Sequence, residues 1–330
     1  MDLFSFFCGP GGLDEGFRLA NHKTLAATDV DAAALLTFKK NHSDALVFPS
    51  NLQTASIAGI VSRCLAVQRT SELLGVVGGP PCQSFSDSNV HQTDDDPRHD
   101  LPLKYAEILK ALNRAAGVSF FVFENVPGLL RKRHAKRYSD FKDRFKSAGF
   151  EVFECVLDAQ HYGVAQHRPR VIIVGLNTKI HKGAKWSAPT KARTRKTVFD
   201  AIGKLPEPIA FRRGLTRDDI PFHPNHWCMA PKSRKFTTAD LRPGQAFGRS
   251  FRTLEWDQPS WTVAYGHREV HVHPNGKRRL SVYEAMLLQS FPKHYELVGT
   301  LSSQIKQVSD AVPPLLAKAI AESIALALKR

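Results

Sequence analysis

Short apolar runs alternate with amphipathic stretches through the first half of the chain. Residues 3–7 and 24–28 are apolar enough for buried strands, and the stretches 13–20 and 32–40 that follow them have apolar residues at helical spacing. Further strand-like runs cover residues 45–48, 73–77, 118–123, 151–157 and 171–176. This alternation predicts an α/β fold with a mostly parallel sheet, whose last two strands pair at one edge.

The pattern changes near residue 179. Proline, glycine and basic residues interrupt short segments, and helical spacing returns in residues 281–290 and again in residues 314–328. We therefore predict a catalytic α/β domain over residues 1–178, a basic inserted domain over residues 179–275, and a return segment over residues 276–330 that completes the first domain.

The net charge of +15 is concentrated in the insert. Residues 179–279 contain 21 Lys and Arg residues against eight Asp and Glu, whereas residues 1–178 contain 20 against 19 and residues 280–330 five against four. A concentrated positive field is typical of a phosphate-binding face, because solvated surfaces normally mix the two signs. Charge therefore favours nucleic acid as the partner.

Cysteine usage and hydropathy exclude several classes of protein. The five cysteines are scattered without a Cys-x-x-Cys pair, which argues against a disulfide framework and a metal site and fits a reducing cytoplasm. No run approaches the roughly 18–20 apolar residues that span a membrane, so we expect no membrane contact. The N-terminus has no basic leader, and a signal peptide is not expected.

Two reactive side chains follow buried strands. Cys82 lies in the loop Gly-Gly-Pro-Pro-Cys-Gln after the strand that ends near Gly78, and Glu124 directly follows the strand 118–123. Ligands and catalytic groups of open α/β sheets gather at the carboxyl ends of the strands. A thiol and a carboxyl brought to that edge indicate covalent catalysis assisted by an acid, whereas a packing cysteine would more often lie within the apolar run.

Two further patterns concern binding. The glycine-rich turn from Phe7 to Gly12 joins a strand to a helix, and Asp29 ends the next strand. This arrangement favours a nucleoside-type cofactor, with Asp29 bonding ribose hydroxyls, over a plain tight turn. Arg168 and Arg170 precede an apolar strand, and residues two apart in a strand point to the same side, where two guanidinium groups could hold an oxyanion or a phosphate. Taken alone, this pair favours a solvated strand edge.

These motifs, in this order and spacing, resemble those of the DNA (cytosine-5) methyltransferases of restriction-modification or orphan type. The shared residues are Phe7-x-Gly9-x-Gly11-Gly12, Pro80-Pro81-Cys82-Gln83, Glu124-Asn125-Val126 and Gln166-x-Arg168-x-Arg170, with weaker agreement at Arg252-x-Leu254, Pro259 to Thr262 and Leu280 to Pro292. The resemblance implies a Rossmann-like sheet that binds S-adenosylmethionine, and a smaller target-recognition domain over residues 179–275 that binds duplex DNA.

The resemblance also implies a mechanism. Cys82 would add to C6 of a cytosine swung out of the helix, Glu124 would bond N3 and the exocyclic amine, and Arg170 would hold O2. Arg168 would support the loop or a phosphate. The cofactor residues carried over by position are Phe7, Gly9, Gly11, Gly12, Asp29, Asn51, Leu52 and Leu101, and the DNA-contacting residues are Gln83 and Ser88.

The chain departs from the family pattern at Asn51, at Tyr283 and at Ser309-Asp310. Two alternatives therefore stay open: an RNA cytosine methyltransferase of the same chemistry, and a catalytically weakened DNA-binding relative. A monomer is expected, and whether a cognate restriction endonuclease is encoded nearby stays open.

Overall fold

A seven-stranded sheet forms the centre of the first half of the chain. In the computed structural model, which describes residues 1–68, 73–81, 97–238, 241–247, 251–262 and 271–329, the strand order is β3-β2-β1-β4-β5-β7-β6. The strands are β1 Asp2–Phe6, β2 Lys23–Asp29, β3 Leu46–Pro49, β4 Leu74–Gly78, β5 Val118–Asn125, β6 Phe150–Asp158 and β7 Pro169–Asn177. The first five strands pair in parallel, and β7 runs antiparallel to β5. The predicted α/β class and the edge pair of the last two strands are confirmed.

Helices cover both faces of this sheet. Along β5, Phe121 and Phe123 contact Phe145, whereas Phe120 stacks on Phe17 at 6.2 Å between ring centres. Alternate residues of a strand point to opposite faces, so the helix that contains Phe145 and the helix that contains Phe17 lie on opposite sides of the sheet. The helices are α1 Gly12–Leu19, α2 Ala32–Asn41, α3 Ile57–Leu65, α4 Leu101–Ala116, α5 Ala135–Ser147, α6 Val198–Ile202, α7 Lys235–Thr238, α8 Val282–Leu288, α9 Leu301–Asp310 and α10 Pro314–Leu328.

The chain divides into two compact units. The first contains residues 1–157, 169–190 and 317–330, and the second contains residues 158–168 and 191–316. In the second unit α6, α8 and α9 enclose an apolar core, and two short sheets are formed by β8 Ile209–Ala210 with β9 Trp227–Cys228 and by β10 Ala246–Phe247 with β11 Phe251–Arg252. The functional boundaries at 178/179 and 275/276 stay predictions.

One expectation about hydropathy needs correction. Residues 301–328, which comprise α9 and α10, contain a window long and apolar enough to cross a membrane by composition. More than half of that window, 56%, is buried inside the protein. Burial of this kind is typical of the core helices of a water-soluble protein, and it explains the apolar composition without a bilayer.

Candidate functional site

An ion pair lies at the carboxyl end of β5. The carboxylate Oε1 of Glu124 is 2.7 Å from Nε of Arg170, the second residue of the neighbouring strand β7, and both side chains are about nine-tenths buried. A charge-assisted contact of this length between buried groups fixes the orientation of both. The structure therefore brings together two of the predicted catalytic residues.

The loop that leads to Cys82 begins against this pair. A Cβ added to Gly79 would lie 2.9 Å from Oε2 of Glu124, so a larger residue there would displace the carboxylate. The buried Asn125 side chain donates to the carbonyl oxygen of Pro80 at 3.3 Å, which ties the loop to the end of β5. Cys82, Gln83 and Ser88 themselves lie outside the described residues.

The glycine-rich turn adopts an unusual backbone. Phe7, Gly9 and Gly11 have φ angles of 54°, 54° and 91°, and Phe7 is not a glycine. A bulky residue in the left-handed region is strained, and such strain collects at ligand-binding sites. No described atom lies within 4 Å of a Cβ built on Gly9, so the turn leaves an open cradle over its backbone.

Asp29 holds this turn from the next strand. Its Oδ2 accepts the backbone N–H of Gly9 and its Oδ1 that of Asp31, each at 2.9 Å. A carboxylate can accept about four hydrogen bonds, so the predicted ribose contact is compatible with these two. Asp29 therefore shapes the cradle as well as lining it.

The remaining predicted cofactor residues occupy different environments. Asn51 is exposed after β3 and accepts the backbone N–H of Gln53 on its side chain. Leu52 is buried in the main core, and Leu101 is buried at the first residue of α4. Their contacts with a cofactor stay predictions.

The cradle suits an adenosyl cofactor. Gly11 precedes α1 without a side-chain cap, so the first N–H groups of the helix can bind a carboxylate, and Asp29 can accept ribose hydroxyls. Val30, which sequence reasoning missed, directly follows Asp29 with 68% of its surface exposed and offers an apolar face to a base. The signal that could have found it is an apolar residue directly after the acid that ends β2.

A buried carboxyl supports the cradle from below. Asp14, in the first turn of α1, accepts the Ser5 hydroxyl at 3.0 Å and the Thr24 hydroxyl at 2.8 Å. Burial raises the pKa of Asp14 to about 6, although both hydroxyl bonds act in the opposite direction. Asp14 thereby joins α1 to β1 and β2, and the free-energy cost of burying its carboxylate depends on pH.

Replacement of Asp14 by asparagine is expected to change the pH dependence of stability. Because the pKa of Asp14 is raised on folding, folding is accompanied by proton uptake between about pH 4 and pH 6. The free energy of unfolding of the wild type therefore falls by up to about 3 kcal/mol as the pH rises through that window. An amide cannot ionise, so the Asp14→Asn variant lacks this loss. Its free energy of unfolding should therefore rise relative to that of the wild type between pH 4 and pH 7. Urea unfolding at three pH values measures this difference, and a constant difference would contradict the assignment.

Arg168 belongs to the second unit, where its contacts are structural. Its guanidinium is fully buried, and Nη2 donates to the carbonyl oxygens of Ser309 at 2.6 Å and Ala311 at 2.9 Å. Arg170 instead pairs with Glu124. The strand β7 begins at Pro169, so the alternation that predicted one shared direction for the two arginines does not extend to Arg168. Its catalytic or phosphate contact stays a prediction.

Two aromatic rings of the basic insert contact cationic side chains, one of which lies in the segment after the insert. Arg279 and Lys235 lie 4.5 and 4.7 Å from the ring centre of Phe251, and Arg252 lies 5.8 Å from that of Trp261. A cavity of about 450 Å³ in the same unit is lined by Gln160, His167, Arg195, Leu254, Glu255, Gln258, Pro259 and Trp261. Arg279 and Phe251 are buried, so their contact belongs to the packing of the unit, whereas Lys235 is exposed.

The departures from the family pattern have local partners. Tyr283 stacks on His223 at 3.9 Å between ring centres and donates its hydroxyl to the carbonyl of Lys293. Asp310 pairs with Lys306 one helical turn earlier, at 2.9 Å.

Within the described ranges, no group of three or more His, Cys, Asp or Glu side chains could hold a metal ion.

Comparison with known proteins gives a consistent result. Residues 1–326 match the family described as C-5 cytosine-specific DNA methylase. The chain is 31% identical to the type II methyltransferase M.FnuDI of Fusobacterium nucleatum, covering 98% of this chain and 94% of that protein, and 30% identical to M.NmeDI of Neisseria meningitidis, covering 98% and 83%.

Solved structures agree in fold. A DNA modification methyltransferase encoded within an E. coli prophage superposes with a TM-score of 0.82 at 20% identity, over all of both chains. The methyltransferase EhMeth of Entamoeba histolytica superposes with a TM-score of 0.70 at 13% identity, over 100% of this chain and 99% of that one.

Proposed function

We propose that this chain, which belongs to the C-5 cytosine-specific DNA methylase family, methylates C5 of a cytosine flipped out of duplex DNA through a covalent bond to Cys82. The buried Glu124–Arg170 pair carries the proposal, because it fixes a carboxyl and a guanidinium beside the loop that leads to the thiol. S-adenosylmethionine, held by the turn from Phe7 to Gly12 and by Asp29, would supply the methyl group.

Cys82, Glu124 and Arg170 would each have a separate role in the reaction. C5 of cytosine is a weak nucleophile, and addition of the Cys82 thiolate to C6 raises its electron density. Electron density then rises at N3 and O2, where Glu124, acting as an acid, would give a proton to N3 and the Arg170 guanidinium would donate to O2. After C5 has gained the methyl group, loss of the C5 proton and cleavage of the C6–sulfur bond restore the ring and the thiolate.

Access to the base requires its removal from the helix. A stacked cytosine hides C5 and C6, and flipping costs roughly a few kcal/mol. Exposed Lys and Arg residues among the 21 of segment 179–279 would offset this cost through contacts with the phosphate backbone. Since the named relatives are type II methyltransferases, we expect modification of a short specific sequence in cytoplasmic DNA, as in a restriction-modification system.

The decisive experiment combines transfer with trapping. Purified protein is incubated with radiolabelled S-adenosylmethionine and either unmodified plasmid or tRNA, and separately with a duplex in which 5-fluorocytosine replaces the target base. We expect label in the plasmid, and a stable protein–DNA adduct that Cys82→Ser abolishes. Label in tRNA but not in plasmid would assign the RNA alternative, and transfer by Cys82→Ser would remove the thiol from the mechanism.

A further inference from the structure

A strongly basic segment lies in the otherwise balanced first unit. Residues 131–137, called here the basic turn, contain five Lys and Arg residues, one histidine and no acid. Arg131, Lys132, Arg133 and Lys136 are exposed, whereas His134 is buried. The segment is outside the 179–279 block that carries the net charge of the chain.

The charge around the basic turn differs from that of the remaining sequence. Residues 131–146 hold eight of the 20 Lys and Arg residues of segment 1–178 and two of its 19 acids, which leaves 12 basic against 17 acidic residues elsewhere in that segment. The rest of segment 1–178 therefore has a negative net charge, and its positive charge is concentrated in residues 131–146. The concentration is therefore a local feature and does not follow from overall composition.

The basic turn is placed close to the catalytic pair by rigid structure. It starts seven residues after Glu124, beyond a 3₁₀ turn at Pro127–Leu130 that contacts β7 and α5. The N–H of Arg131 donates to Gly128 at 3.2 Å, and that of His134 to Arg131 at 2.8 Å. Seven residues can span at most about 24 Å, so Arg131, the first cation of the basic turn, lies within about seven base-pair steps of a cytosine held at Glu124.

The position of these charges opposes helix stability. Lys136 and Arg137 lie in the first turn of α5, which has no acidic residue there, and His134 makes no side-chain capping bond. Cations at a helix N-terminus are unfavourable because that end already carries partial positive charge. A sequence that adds charges against the local preference, on an exposed surface, indicates an anionic partner.

We propose that the basic turn binds the phosphate backbone of duplex DNA beside the flipped cytosine. This inference rests on the proposed function and adds to it a second DNA contact, located on the catalytic unit. Its cations contact phosphates, so it strengthens binding to every sequence alike and leaves base recognition to other residues.

The test compares two sets of three charge removals. The first variant is Arg131→Gln, Lys132→Gln, Arg133→Gln. The control variant is Lys23→Gln, Lys104→Gln, Lys318→Gln, whose lysines pair with Asp44, Glu107 and Glu322 in the same unit. The dissociation constant for cognate and non-cognate duplexes is measured from 50 to 300 mM salt, with thermal melting as a check of the fold.

We expect the first variant to bind both duplexes roughly ten- to a hundredfold more weakly at 0.1 M salt, with a log–log salt slope shallower by about two to three. The control should keep the wild-type slope. Equal slopes for the first variant and the wild type, or weakening confined to the cognate duplex, would overturn the proposal.

A second measurement uses the unaltered protein. Acetylation of lysines, followed by mass spectrometry, should show Lys132 and Lys136 protected by duplex DNA, while the exposed Lys40 reacts as before. Equal acetylation of Lys132 with and without DNA would overturn the inference. If Lys132 is acetylated equally and the wild-type protein still methylates DNA, only the DNA contact of the basic turn is refuted. If the wild-type protein does not methylate DNA, the proposed function is refuted.

Discussion

Replacement of Glu124 by glutamine is expected to lower kcat for methyl transfer by roughly 10²- to 10⁴-fold. The amide keeps the size of the side chain but cannot exchange a proton with N3 of the cytosine, and it weakens the contact that holds Arg170 at 2.7 Å. The glycine-rich cradle makes no use of Glu124, so affinity for S-adenosylmethionine should stay within a few-fold of the wild type. Steady-state kinetics at saturating DNA and cofactor measures the first quantity and calorimetry the second.

Glu154 provides a matched control for this substitution. It also lies on a strand of the same sheet and also contacts a cation, Lys142 at 3.1 Å, but it is on the edge strand β6. Glu154→Gln should transfer methyl groups at the wild-type rate. A Glu124→Gln protein that folds, binds cofactor and retains kcat within threefold would show that the carboxyl has no part in the chemistry.

The parts of the fold that sequence predicted are those with a simple period. The continuous apolar run before Glu124 could only be a buried strand of an α/β sheet, and its end placed the carboxyl at the functional edge. The helix predicted over residues 314–328 has those bounds in the structure, because apolar residues recur at helical spacing between Pro314 and Leu328.

Helix α9 was not predicted, because its buried face is partly polar. Gln304 and Gln307 face the core, where Gln304 accepts from Asn225 and Trp227 and Gln307 donates to Val298. Buried amides satisfied by distant partners remove the apolar stripe on which amphipathicity depends. The partners of Gln304 are 79 and 77 residues away along the chain and cannot be read from local spacing.

The candidate site shows the same division. Glu124, Asp29 and the glycine-rich turn were predicted because each ends a strand or begins a helix. The structural role of Arg168 was not predicted, because it depends on carbonyl oxygens of residues 309 and 311, more than 140 positions away. Residue type and spacing show which interactions a side chain is able to make. Its tertiary partners determine which of those interactions it makes in the folded protein.

The second large effect concerns stability of the second unit. Glu284 is fully buried, accepts two hydrogen bonds from the Arg278 guanidinium at 2.9 Å, and accepts the N–H of Ser281 at 2.7 Å at the start of α8. Glu284→Leu should lower the free energy of unfolding by about 3–5 kcal/mol, because it removes the buried carboxylate that pairs with the buried Arg278 guanidinium. Three of the four tryptophans, Trp227, Trp256 and Trp261, lie in this unit, so urea unfolding followed by tryptophan fluorescence reports mainly on it.

Two further variants separate this cause from general damage to the core. Glu207 pairs with the same arginine at 2.7 Å but is 72% exposed, so Glu207→Gln should cost at most about 1 kcal/mol. The double variant Glu284→Leu, Arg278→Met removes both buried charges and should recover much of the loss, since a buried pair replaced by apolar residues of similar volume is often close to neutral. If the double variant is as unstable as Glu284→Leu, the loss comes from the capping bond and packing of α8, and the unpaired charge is not its cause.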